Sequence, residues 1–369
     1  MPDVLLYGDT YRMPELRHEV PIGIPDPFLY AEKDGVKHIV IGSMEIPRLA
    51  ELNLFELHPW EEFGIDELRA SGLDVREIRA QIELRAVGKL GIAAAAVPET
   101  FPLWLADLLR DQDVELTVDA DLFDDRRRVK TEAELAGIRR AQRAAEAAMD
   151  RARELLRGGG PLTVEQVKAA MSAVFAEHGT SCDDFIVAPG PQGAVGHDMG
   201  SGPIAEGVPV VVDIWPRDNE SFMYCDMTRT FVIGDVPDDV GEWHRLTKEA
   251  LDRAVSEIKA GVAGHVIFDG TCEIYEAAGY PTQRTKKPGE ALADGFFHGL
   301  GHGVGLEVHE SPALGMGGRD PLITGDVLAI EPGLWDTRIG EIRFEDLVLV
   351  TDHGCETLAR FPYHLTLPM

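Results

Sequence analysis

The stretch "HGLGHGVGLEVHE", His298 to Glu310, sets three histidines and two glutamates among glycines. Imidazoles and carboxylates bind divalent metals and move protons near neutral pH, and glycines beside them let backbone approach closely. Elsewhere four acids interrupt apolar runs: Asp213 in "VVVDIW", Asp226 in "YCDMTRTF", Glu331 in "VLAIEPG" and Glu345 in "IRFEDLVLV". A buried acid must be paired, protonated or metal-bound. Any one of them alone could be a turn residue or a salt-bridged core residue. Four together with a histidine cluster favour a carboxylate-rich metal site.

The spacing adds geometry. If the segment between the first two acids closes as a hairpin symmetric about Asn219 and Glu220, Asp213 and Asp226 lie directly opposite on one face. Two carboxylates so placed repel unless a cation stands between them. Arg343 and Glu345 are two apart and share a face, whereas Asp346 points the other way. Carboxylate oxygens with one imidazole suit a pair of divalent ions such as manganese, cobalt or zinc better than a closed structural zinc site.

Taken in order, "VVVDIW", "CDMTRTF", "HGLGHGVGLEVHE", "LAIEPGL" and "IRFED" resemble the five metal-site segments of the creatinase or pita-bread metallopeptidases: prolidases, aminopeptidases P and methionine aminopeptidases. The resemblance implies that Asp213 binds one ion, that Asp226 and Glu345 bridge both, and that His302 with Glu331 completes the other. Manganese is the expected metal, with cobalt or zinc as alternatives. The resemblance also implies that His309 stabilises the tetrahedral intermediate or moves protons. In the same way it places His197, in "GAVGHDMG", on a loop over the pocket. Glu331 would ferry a proton to the leaving nitrogen. His298 would line the substrate pocket, although packing with one satisfied hydrogen bond fits it equally. Arg343 would contact substrate or orient Glu345.

The implied activity is exopeptidase cleavage of the Xaa-Pro bond in dipeptides or short peptides, by attack of a metal-bridging hydroxide. A dipeptidase needs a cation for the free C-terminal carboxylate, and "HESPALGMGGRDPL" offers Arg319. The alternative is a metal-dependent hydrolase or lyase of the same fold acting on a small nonpeptide molecule. A noncatalytic binding module is disfavoured because all five ligand positions are retained.

The elements that must position these residues fall into two groups. Residues 1–125 alternate β-rich runs ("VLLYG", "FLYAEKDGVKHIVIG") with helical patterns through Leu68 and Val87, and Asp34-Gly35 signals a tight hairpin. The region resembles the auxiliary α/β domain of prolidases and aminopeptidases P. Residues 126–369 begin with a long Ala- and Arg-rich helix capped by Thr131 and Glu134 and stopped by Gly158 to Gly160. A second helix repeats the device with Thr163, Gln166 and Gly179. Strands then dominate, with helices expected at Val240 to Lys259 and Thr271 to Ala278. Hairpin-linked strands followed by separate helices predict an antiparallel α+β domain, and the helix-helix-strands order occurring twice is compatible with a duplication. The resemblance implies that this is a pita-bread catalytic domain preceded by a small α/β domain.

Composition bounds the partners. With 369 residues, 44% hydrophobic and 27% charged, the chain has a globular profile, and its formal net charge of -29 argues against nucleic acid. "LGIAAAAVPETFPLWLADLL" is interrupted by Pro98, Glu99, Pro102 and Asp107, so it reads as a strand feeding a helix and no membrane association is expected. Cys182, Cys225, Cys272 and Cys355 show no framework spacing, and no signal segment is visible. A cytoplasmic homodimer acting on short proline-containing peptides is the expectation.

Overall fold

The computed structural model describes residues 2–158 and 160–367. The chain divides into two compact units, Met1–Arg127 and Arg128–Met369.

In the first unit, strands β1 (Val4–Gly8), β2 (Phe28–Lys33), β3 (Val36–Ile41), β4 (Glu56–Pro59), β5 (Ala94–Val97) and β6 (Glu115–Val118) form one mixed sheet in the order β4-β3-β2-β1-β5-β6. The β2–β3 hairpin closes on Asp34 and Gly35 with φ of 51° and 81°, the two positive values that a two-residue turn of this hand requires. The expected strand-to-helix passage is present as β5 followed by helix Leu103–Arg110. Period-two alternation feeds two cores. Leu5, Tyr7, Leu29 and Val40 enter one, and Val4, Leu6, Phe28, Tyr30 and Ile39 enter the other.

The second unit opens with helices Glu132–Arg157 and Val164–Glu177, each held by a complete capping box, Thr131 with Glu134 and Thr163 with Gln166. Of the glycines expected to stop the first helix, Gly158 is its C-cap and Gly159 lies outside the described residues. A second helix pair follows, Asp238–Glu257 and Gly264–Ala277, the latter beginning well before the expected Thr271. Strands Ile186–Pro189, Pro209–Ile214, Met227–Ile233 and Thr366–Leu367 form a four-stranded sheet. Its pairs are antiparallel except that of Met227–Ile233 with Thr366–Leu367, which is parallel. A five-stranded sheet joins Glu310–Leu314, Gly301–Gly303, Val327–Ile330, Asp346–Val350 and Cys355–Thr357.

The alternation along these strands explains how two helix pairs can cover them. Val327, Ala329 and Leu347 pack into the core of the first helix pair, while Leu328, Ile330, Val348 and Val350 pack into the core of the second. On the Pro209–Ile214 strand, Val210, Val212 and Ile214 enter the first core, leaving Val211 and Asp213 on the opposite face.

The expected hairpin geometry needs correction. Asp213 pairs with Thr228, not with Asp226, because Met227 pairs with Ile214 and the register is shifted by two residues. The segment between them is no simple turn: Arg217–Asp218 pairs as a short strand with Thr180–Ser181. An even shift keeps side chains on their face, so the two aspartates remain neighbours diagonally. Asp226, Glu331 and Glu345 also stand one residue outside their strands rather than within them.

Candidate metal centre

Asp213 stands on a central strand of the four-stranded sheet, flanked by Ile186 on one side and Thr228 on the other. Glu345 occupies the link between strands Gly340–Arg343 and Asp346–Val350, and its backbone bridges to Thr228, so it joins the two sheets at the point where Asp226 precedes its strand. His302 comes from the short Gly301–Gly303 strand, pinned between Ala313 and Ala329. A Cβ on Gly301 would collide with the Ala329 carbonyl oxygen and one on Gly303 with the Ser311 carbonyl oxygen. Glycine is therefore the residue that lets the histidine strand sit this close.

The five residues converge. Ligand atoms of Asp213, Asp226 and Glu345 lie within 4.8 Å of one another, as do those of His302, Glu331 and Glu345. His302 Nε2 is 3.8 Å from Asp226 Oδ2 and from Glu331 Oε1, and 3.9 Å from Glu345 Oε1. These separations exceed a hydrogen bond but fall inside about 4.2 Å, twice a metal–ligand bond, so one ion can touch both members of each pair. His302 Nδ1 lies 3.1 Å from the Gly303 carbonyl oxygen; donating there leaves Nε2 as a lone pair toward the acids.

The electrostatics of the cluster suit a cation. Asp213, Asp226 and Glu345 are buried, and the Oδ1 atoms of Asp213 and Asp226 have no hydrogen-bond partner. Burial, then repulsion from Glu345, Asp213 and Glu331, drives the Asp226 carboxyl well above its ordinary range. Glu345 is driven up by burial, Glu331 and Asp213. For Glu331, burial pushes upward, but His298, Arg343 and His302 outweigh it and hold the carboxyl low. Two orphaned buried carboxylate oxygens among crowded acids fit divalent cations, which satisfy carboxylates without protonating them.

Arg343 corrects a further expectation. Its Nη2 donates to Asp213 Oδ2 at 2.6 Å and its Nη1 to Glu331 Oε2 at 3.2 Å, so it steadies those two carboxylates and not Glu345. Glu345 instead accepts from Thr228 Oγ1 at 2.7 Å. Thr228 and Glu341 were missed in the sequence. Glu341 is buried, its Oε1 stands 3.0 Å from Arg343 Nε, and burial pushes its carboxyl up to about 8. The signal for both was period two: Thr228 follows Asp226 by two, and Glu341, Arg343 and Glu345 fall at successive odd positions.

A cavity of about 490 Å³ opens beside the acids, lined by His197, His298, His302, His309, Arg343 and the four carboxylates. Trp215, Phe297, Trp335 and Met199 give it apolar walls. His309 places its ring 4.2 Å from that of His302, edge to face, and burial together with His302 lowers its pKa, which favours neutral imidazole. His197 reaches the cavity from a loop where its own φ is 60°. His298 lies 2.7 Å through Nδ1 from the Gly299 carbonyl oxygen and packs against Phe296 and Trp335, while its buried Nε2 has no partner. Arg319 is exposed and does not line the cavity.

Comparison with known proteins agrees with this architecture. The chain is 32% identical over 243 residues to Xaa-Pro dipeptidase of Pyrococcus furiosus, a match covering 65% of each chain. It is 32% identical over 278 residues to the probable dipeptidase PepE of Mycobacterium tuberculosis, covering 74% of this chain and 69% of that one. Among solved structures, X-Pro aminopeptidase of Thermotoga maritima superposes with a TM-score of 0.80 at 24% identity, covering 99% of this chain and 97% of that one. Dipeptidase PepE of Mycobacterium ulcerans gives 0.78 at 26% identity, covering 100% and 94%. The fold is thus the pita-bread fold preceded by a smaller α/β unit. Residues 136–352, which carry the five converging residues, match the model of metallopeptidase family M24, and the chain belongs to that family.

Proposed function

We propose that the protein is a metal-dependent exopeptidase that hydrolyses the Xaa-Pro bond of dipeptides or short peptides, using two divalent ions held by Asp213, Asp226, His302, Glu331 and Glu345. The observation that carries this is the convergence of four carboxylates and one imidazole, with two buried carboxylate oxygens lacking partners, at the wall of a cavity with apolar sides. Bound there, the two ions supply a Lewis acid for the scissile carbonyl and an activated water as nucleophile.

The chain's own residues do the rest. Asp226 and Glu345 each belong to two overlapping donor groups and would be the donors shared by the two ions. Arg343 positions Asp213 and Glu331 and keeps part of their charge balanced. His309, as neutral imidazole beside His302, donates toward the developing oxyanion or relays a proton. Glu331 carries a proton toward the leaving nitrogen. His197 and His298 contact substrate, and the walls formed by Trp215, Phe297 and Trp335 suit a proline ring. The same reading takes manganese as the working ion, with cobalt or zinc as substitutes, because the donor set is rich in oxygen. It places a homodimer in the cytoplasm. The four free cysteines support a reducing compartment. No described helix is long and apolar enough to cross a membrane.

The test is an assay of Xaa-Pro dipeptides beside Xaa-Pro-Yaa tripeptides, free and N-acetylated, with manganese, cobalt or zinc added. Free peptides should be cut and acetylated ones should not, because acetylation removes the α-ammonium and adds bulk where an exopeptidase closes its pocket. Dipeptide preference identifies a dipeptidase, and tripeptide preference an aminopeptidase. If acetylated peptides are cut equally well, or no peptide of the panel is cut with any of the metals, the proposal fails and a small nonpeptide substrate replaces it.

A further inference from the structure

The first unit carries a second place where imidazole and carboxylate meet, on the edge of its sheet. His38 lies on β3 and Glu56 and His58 on the parallel edge strand β4, with His38 paired to Glu56 and Val40 to His58. Glu56 and His58 are two apart, so they share the face that His38 presents beside them. His38 Nδ1 is 3.2 Å from His58 Nε2 and 3.4 Å from Glu56 Oε2. One ligand atom from each of the three residues fits within a 4.8 Å span.

The proton inventory of this cluster is incomplete. His58 Nδ1 stands 3.2 Å from Glu62 Oε2, and Glu62 is held in turn by Lys89 Nζ at 2.8 Å. With Nδ1–H of His58 given to Glu62, its Nε2 offers only a lone pair toward His38. The Glu56 carboxylate likewise offers only lone pairs. His38 Nδ1 therefore has one hydrogen at most for two acceptors. A cation in place of that hydrogen faces three lone pairs and leaves none competing. The distances agree: donors about 2.0–2.1 Å from a tetrahedral ion are separated by about 3.3–3.4 Å.

We propose that His38, Glu56 and His58 form a zinc-type divalent cation site in the first unit, with Glu62 as the carboxylate that orients His58. The two imidazoles are largely sheltered, with side-chain exposures of 11% and 16%, whereas Glu56 is 61% exposed, so the fourth coordination position opens to water. The ion pins the four-residue edge strand β4 to β3 through side chains, where β4 otherwise has a single backbone neighbour. This site is separate in sequence and in unit from the carboxylate-rich centre and does not depend on its chemistry.

The test is equilibrium dialysis of the full chain against zinc, in parallel with His58→Ala, Glu56→Gln and Glu62→Gln, followed by metal analysis. The parent should retain one zinc equivalent more than His58→Ala, a difference that does not depend on how many ions the central cavity takes. Glu62→Gln should keep the site but weaken it by about 10- to 100-fold, as loss of an orienting carboxylate does. Glu56→Gln alters only an exposed side chain, so it reports on the site even if His58→Ala folds poorly, and it too should lower zinc retention. Equal stoichiometry and affinity in the parent, His58→Ala and Glu56→Gln would overturn the proposal. So would zinc that raises the thermal unfolding midpoint of the Glu56→Gln chain as much as that of the parent.

Discussion

Among the described residues, two places keep buried acids without a cation partner for each: the carboxylate cluster of the second unit and Glu83 of the first; elsewhere both units pair them, as Glu19 with Lys37 and Arg126. In the second unit several are paired with an arginine: Asp326 accepts from Arg128 Nε and Nη2 at 2.9 and 2.7 Å, Asp346 from Arg229 Nη2 at 2.7 Å, and Asp218 from Arg140 Nε and Nη2 at 2.9 and 2.8 Å. At the centre of that unit the pairing is abandoned, and four carboxylates share Arg343 and the neighbouring imidazoles. In the first unit Glu83 is buried in helix Val75–Leu90 with its Oε2 lacking a partner, and burial pushes its carboxyl up to about 8. The contrast is instructive. A solitary buried acid resolves its cost by taking a proton, whereas crowded acids beside an arginine and an imidazole can resolve theirs by sharing cations, as the proposed function requires.

Asp226→Ala removes a donor common to two ligand groups and should eliminate measurable peptidase turnover and lower retained metal, while the unfolding midpoint stays near the parent's. Unchanged turnover, measured with metal analysis on the same samples, would show that the crowded acids are not the reactive centre. His309→Ala should lower turnover by roughly two to four orders of magnitude with metal content near normal. Loss of metal instead would mean that His309, which also falls in a donor group with Asp226 and His302, is a ligand.

The smallest effect concerns Glu83. Its folded pKa lies above its unfolded value, so the stability it contributes is present below about pH 4.5 and is lost as pH rises toward 8. Glu83→Gln should therefore be nearly neutral near pH 4 and stabilise the chain by about 3 kcal/mol at pH 7, read from urea unfolding at the two pH values. A gain that is the same at both would mean that Glu83 titrates alike in the folded and unfolded chains, and a loss at pH 7 that it is ionised and paired when folded; either result would refute the raised pKa.

Much of the fold was legible because its signals are local. Thr131 with Glu134, Thr163 with Gln166 and Asp34-Gly35 each act over at most four residues, and each marks the element boundary expected of it. The hairpin register between Asp213 and Asp226 was not legible. The intervening segment pairs with Thr180–Ser181, and pairing with a distant strand leaves no mark in the hairpin's own residues. The partners of Arg343 were hidden for the same reason: side-chain periodicity gives a face, but Asp213 is 130 positions away and Glu331 lies beyond another strand. The cluster of His38, Glu56 and His58 gave no spacing signal, because parallel pairing of β3 with β4 brings together residues about twenty apart.

The sequence by itself determined which side chains could bind metal, because residue type and apolar flanks limit what a buried acid can do, and it determined the order of helices and strands through caps and periodicity. The tertiary structure alone decided which of those acids meet. Ligand contacts depend on strand register and on the Thr228–Glu345 bridge between two sheets, and such long-range pairings are set by the packing of both helix pairs on those sheets rather than by any local pattern.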